Sequence, residues 1–164
     1  TSADTQTWRA VNDGVMGGLS SGGPRFENGH MIFQGVINTN GGGFSSLRSP
    51  MQPGVFAQTE AVKLRLRSDG RAYKMTFRTN AGLRGRRISF QAPIPASPPG
   101  EWSEVTVPFS QLRGTIFGRA VRGAEFDRRE VVEMGIILAD GRDGPFKLEV
   151  DWIADCPVDG PSKA

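Results

Sequence analysis

An all-β sandwich of two antiparallel sheets with few or no helices is the fold class this sequence predicts, and three observations lead to it. Short apolar–polar alternations of period two recur along the chain, separated by turn residues roughly every 8–12 positions. Glycine (22 residues) and proline (11 residues) are both abundant, as many turns between short strands require. No stretch sustains the 3.6-residue periodicity of an amphipathic helix.

The elements follow in order. Trp8 opens a segment with Gly14, Gly17, Gly18 and Gly22 in which Asn12-Asp13-Gly14 is a turn signature, so it reads as a shaped loop with Trp8 packed beneath it. At least one of Gly14, Gly17 and Gly18 is expected to have a positive φ. Asn28-Gly29 is the favoured pair for a type I′ turn and predicts a hairpin over 24–37. After Gly41-Gly42-Gly43, Phe44 to Arg48 is a short strand ending at Pro50. In 62–78, Val62, Leu64 and Leu66 alternate with charged residues, and Tyr73, Met75 and Phe77 do so beyond Asp69-Gly70. A hairpin there pairs Leu66 with Tyr73, Leu64 with Met75 and Val62 with Phe77, and puts Arg65 opposite Lys74.

Residues 79–87 read as a long turn, 88–92 as a strand, and the proline-rich 93–100 as an extended connector. Trp102 to Phe109 is a strand whose Pro108 marks an edge or an end. Residues 110–126 read as irregular, and Asp127 to Glu130 has capping-box spacing. A last hairpin joins 133–139 to 145–153 through residues 140–144, pairing Met134 with Val150, Ile136 with Leu148 and Leu138 with Phe146. The 164 residues suffice for a single domain with a real core, centred on 8–153, with 1–6 and 157–164 expected to fray.

Composition excludes several function classes. The chain is 37% hydrophobic and 23% charged, as a soluble globular domain is, and no apolar run reaches the ~20 residues of a membrane span. A net charge of +3 does not by itself argue for nucleic acid. The single Cys156 excludes an internal disulfide. The chain begins at Thr1 without a methionine, which reads as trimming or processing of a cytoplasmic or exported protein of bacterial type. The lone His30 flanks a turn, no nucleophile-elbow motif is present, and no enzyme activity is expected.

A resemblance adds to this. Trp8 followed by Asn12-Asp-Gly-Val-Met-Gly-Gly-Leu-Ser20, then Gly42-Gly-Phe-Ser-Ser-Leu-Arg48, and late Asp151-Trp-Ile153, resemble the motifs of the complex I intermediate-associated protein 30 family. Val107-Pro-Phe-Ser110 and Gly135-Ile-Ile137 also fit it. The resemblance implies a jelly-roll β-sandwich of the galactose-binding-like type. It also implies a non-catalytic role, which in mitochondria is assembly of respiratory complex I, and hence a protein partner.

The candidate partner-binding residues are Trp8, Asn12, Asp13, Arg48, Arg65, Lys74, Arg78, Trp102 and Asp151. Arg65 and Lys74, placed opposite each other with Arg48 and Arg78 at the margin, need either compensating acids such as Glu149 and Asp151 or an anionic partner. The alternative function is a carbohydrate-binding module, resting on Trp8 and on Trp102, which shares the polar parity of Glu104 and Thr106. Tyr73, Phe77, Phe146 and Trp152 fall on the apolar parity instead. No cofactor is expected; the alternative is a structural calcium, for which Asp13 is the one attractive ligand.

Overall fold

Asn28 and Gly29 adopt φ values of 52° and 79°, the left-handed pair that a two-residue type I′ turn demands. They join β2 (Ser21–Glu27) to β3 (His30–Ile37), with Glu27 opposite His30. The structure, a computed structural model, describes residues 8–12, 18–40, 42–83, 86–116 and 119–158. Gly14 and Gly17 therefore lie outside the described residues, as does Asp13.

The described strands form two antiparallel sheets packed face to face. The seven-stranded sheet runs β1 (Arg9–Asn12), β4 (Ser45–Pro50), β11 (Val131–Leu138), β6 (Tyr73–Leu83), β7 (Arg86–Pro93), β9 (Arg113–Ile116) and β10 (Arg119–Ala120). The five-stranded sheet runs β2, β3, β12 (Gly144–Pro157), β5 (Thr59–Ser68) and β8 (Trp102–Pro108). Two single-turn 3-10 helices, Phe109–Gln111 and Arg128–Glu130, are the helical elements among the described residues. Asp127 caps the second, accepting from the Arg129 amide at 3.0 Å. The fold is the expected jelly-roll sandwich. Met31, Phe33, Leu64, Leu66 and Leu148 from one sheet meet Leu47, Met75, Phe77, Phe90 and Ile136 from the other in one buried core.

Several expected pairings are overturned. Residues 62–78 are not a hairpin: β5 and β6 lie in different sheets, and β6 pairs with β11 and β7. Leu64, Leu66, Met75 and Phe77 are buried as the alternation demanded, but they face one another across the core. The 133–153 hairpin fails in the same way, because β11 belongs to the seven-stranded sheet and β12 to the five-stranded one. Arg65 is consequently not opposite Lys74. Residues 79–83 continue β6 past a bulge, and 113–116 form a strand where irregular chain was expected.

The two crossings lie side by side and are tied by polar groups. Gly70, with a φ of 93°, turns the first corner. Arg71 then grips Asp140 with two hydrogen bonds (Nε to Oδ2 2.9 Å, Nη2 to Oδ1 2.7 Å) and also donates to the carbonyls of Arg142, Gly144 and Pro145. Both side chains are nearly buried, at 10% and 7% exposure. Asp69 accepts from the Arg71 and Lys147 amides and from the Tyr73 hydroxyl. Burial, with the charge of Asp69 beside it, pushes the Tyr73 phenol above its ordinary value.

Where β2 pairs with β3, Gly22 stands opposite Gly35. A Cβ on Gly35 would lie 2.1 Å from the Ser21 carbonyl oxygen, so only glycine permits this approach.

Candidate functional site

The two sheets divide the predicted residues into three groups. The first is structural. Trp8 is 8% exposed and packs into the core, so its ring is not available as a platform. Asn12 donates from Nδ2 to the Gly22 carbonyl at 3.0 Å and accepts from the Ser45 hydroxyl, tying β1 and β4 to β2 across the sandwich edge. Its amide is committed to joining the sheets.

The second group lies on the outer face of the seven-stranded sheet. Alternation along β4, β6 and β11 sends Leu47, Met75, Phe77 and Ile136 inward, which leaves Arg48, Lys74, Arg78 and Glu133 outward. Arg78 donates to Glu133 Oε1 at 2.8 Å, and Arg9 to Oε2 at 3.1 Å. Arg48 Nε stands 3.9 Å from Oε1. Burial, and then the neighbouring charge of Arg78, lower the Arg48 guanidinium to about 10 against the pull of Glu133. Lys74 extends the same face.

The third group covers the outer face of the five-stranded sheet. Trp102, Arg65 and Asp151 are on it, together with residues to which no such role was assigned. Trp102 leans over the sheet, with the guanidinium carbons of Arg65 and Arg67 at 4.7 and 5.0 Å from its ring centre. His30, not a free turn residue, lies 4.7 Å from the same ring, centre to centre, and its Nε2 is 3.6 Å from Asp151 Oδ1. Arg65 Nη1 donates to Asp151 Oδ2 at 3.3 Å, and Arg67 Nε to Glu149 Oε2 at 3.0 Å. Burial pushes the Glu149 carboxyl up, but hydrogen bonds from Arg67 and Lys147 leave it below its ordinary value. A bulge between Val150 and Trp152 corrects another expectation. Beyond it Trp152 becomes the register partner of Arg65, so it stands on the outer face, half-buried, instead of in the core.

Among the described residues, no cluster of three or more His, Cys, Asp or Glu is placed to hold a metal ion. Nor, among them, is any helix long and apolar enough to cross a membrane.

The sequence as a whole matches the complex I intermediate-associated protein 30 family over residues 1–150. The chain belongs to that family. Among relatives, the probable complex I intermediate-associated protein 30, mitochondrial, of Caenorhabditis briggsae is 33% identical over 92 residues, which is 55% of this chain and 27% of that protein. The Mus musculus protein of the same family is 31% identical over 101 residues, 60% of this chain and 30% of its own length. The chain thus spans less than a third of these relatives. In fold, this family member is similar to the family 11 carbohydrate-binding module from Clostridium thermocellum, solved in complex with a beta-1,3-1,4-mixed-linked tetrasaccharide. The TM-score is 0.74 at 14% identity, over 94% of this chain and 91% of that one. A family 30 carbohydrate-binding module of a cellulosomal cellulase gives 0.58 at 12% identity, over 96% and 86%.

Within this member of the complex I intermediate-associated protein 30 family, sequence reasoning missed Arg9, Glu133, His30 and Trp152 as parts of its two polar faces, while Arg67 stands beside Arg65 as the alternation of β5 implies. The outward parity of β11 could have placed Glu133. The contact of His30 with Trp102 spans 72 positions of sequence and had no local signal.

Proposed function

We propose that this domain is a non-catalytic binding module that associates with a partly assembled respiratory complex I and offers its polar sheet faces to a protein partner. The observation that carries this reading is the family match over residues 1–150, with relatives named for association with complex I intermediates. The geometry is consistent with it. Glu133, Glu149 and Asp151 are each engaged with arginines and not arranged as an acid–base pair across a cleft. Deleting the gene of the intact protein should leave partly assembled complex I on native gels, and the tagged protein should comigrate with that species. Normal complex I levels with no comigration would overturn the reading.

A second reading, a carbohydrate-binding module, is favoured by one specific observation. Trp102 lies on the outer face of the five-stranded sheet, on a fold shared with modules that bind glycans. Under this reading, calorimetry against a mixed-linked β-glucan gives saturable binding that Trp102→Ala abolishes. Absence of heat in both proteins eliminates it.

A further inference from the structure

Three arginines on the seven-stranded sheet converge on one carboxylate, and the charges do not balance. Arg9 and Arg48 are direct register partners on β1 and β4, an arrangement of like charges that destabilises a strand pair unless something offsets it. Among the described residues, Glu133 is the acid within reach. Its two oxygens are taken by Arg78 at 2.8 Å and Arg9 at 3.1 Å, and Arg48 is left at 3.9 Å without a hydrogen bond to it. Neither Arg48 nor Glu133 is well solvated, at 18% and 12% side-chain exposure. Among the described residues the cluster therefore carries two more positive charges than negative ones, with Arg9 exposed at its edge (59%) and Arg48 set deeper, where water screens it less.

The backbone prepares the spot. Gly135 is the register partner of both Arg48 and Thr76. A Cβ there would sit 2.6 Å from the Thr76 hydroxyl and from the Leu47 carbonyl, and 3.5 Å from Arg48 Cγ. Without it, the Thr76 hydroxyl, the Leu47 carbonyl and the stem of Arg48 close over Gly135. The Arg48 guanidinium is lowered first by burial and then by the charge of Arg78, against the pull of Glu133.

We infer that Arg9, Arg48 and Arg78, gathered around Glu133, form an oxyanion site that takes a carboxylate from an acidic segment of a protein partner. Guanidinium forks match the two oxygens of a carboxylate in direction and spacing, which a scatter of lysines would not. The neighbouring aromatics of β6 and β7, Phe77 and Phe90, point into the core, so neither offers a ring on which a nucleic-acid base could stack. The oxyanion site itself stands on charge and geometry, whereas its assignment to a protein partner rests on the binding-module reading above.

The test uses the intact chain and a fluorescein-labelled hexaglutamate peptide, followed by anisotropy at low and at physiological salt. Saturable binding is expected, weakened at least tenfold by Arg48→Gln. Because Arg48 is crowded by two like charges, that variant should keep or slightly raise the melting temperature. Glu133→Gln, which removes the internal competitor, should tighten binding several-fold, an effect that a purely structural ion-pair lattice would not produce. Equal binding by the parent and Arg48→Gln, or a melting temperature that falls sharply in Arg48→Gln, overturns the site. Inorganic phosphate that displaces the peptide at low millimolar concentration identifies a small-anion site and overturns the protein assignment. A DNA oligonucleotide that competes as well as the peptide overturns the chemistry proposed. None of these readouts depends on complex I, so a failure of the assembly reading in cells leaves them standing.

Discussion

Arg71 shows how one side chain decides the path of the chain. It answers Asp140 across 69 positions of sequence and accepts no substitute, since a lysine presents no planar fork. Hydrogen bonds from Arg71 hold the Asp140 carboxyl below its ordinary value. The stability it confers is therefore complete above the unfolded-state value of about 3.9 and is lost as pH falls through the lower, folded-state value. Asp140→Asn should cost about 3 kcal/mol at neutral pH. The deficit should shrink as pH drops below about 4, which urea midpoints measured across pH would report. At Gly35 the constraint is steric. Gly35→Ala sets a methyl 2.1 Å from a backbone oxygen, which cannot rotate away. A loss of about 3 kcal/mol is expected, more than an exposed glycine would show. An unchanged midpoint would mean that β2 does not pair with β3 as closely as described.

At the scale of elements, burial was legible in the sequence and partnership was not. Leu64, Leu66, Met75 and Phe77 alternate because each strand has one dry face, and that is visible in any window of four or more residues. A hairpin and a crossing to the facing sheet present the same alternation, so Asp69-Gly70 identifies a turn without saying which sheet comes next. What distinguishes them is the Arg71 grip on a distant loop. The Asn28-Gly29 hairpin was readable because both torsions are written into the dipeptide itself. The bulge at Asp151 left no trace, since one inserted residue shifts the parity of everything after it. It yields a direct check: Ile153→Ala should cost about 2–4 kcal/mol. Trp152→Gln, despite removing the larger side chain, should cost less. The reverse order, in equilibrium unfolding, would place Trp152 in the core.

For the molecule as a whole, the family motifs carried the fold, but the polar faces had to be seen. Arg48 could be singled out from its motif, whereas its neighbours Arg9, Arg78 and Glu133 come from three other strands joined only by the topology. That topology places the two last long strands, β11 and β12, in the interiors of the two sheets, between β4 and β6 and between β3 and β5. A chain ending before Gly144 should therefore show no cooperative unfolding transition, while one ending after Pro157 should melt like the parent. The same arrangement has a consequence during synthesis. Until residue 157 has left the ribosome, β3 is paired only with β2 and β5 only with β8, and the edge of each that β12 fills stays open. Such a protein completes its fold only after translation has passed it. In the interval those two edges are free to pair with another chain.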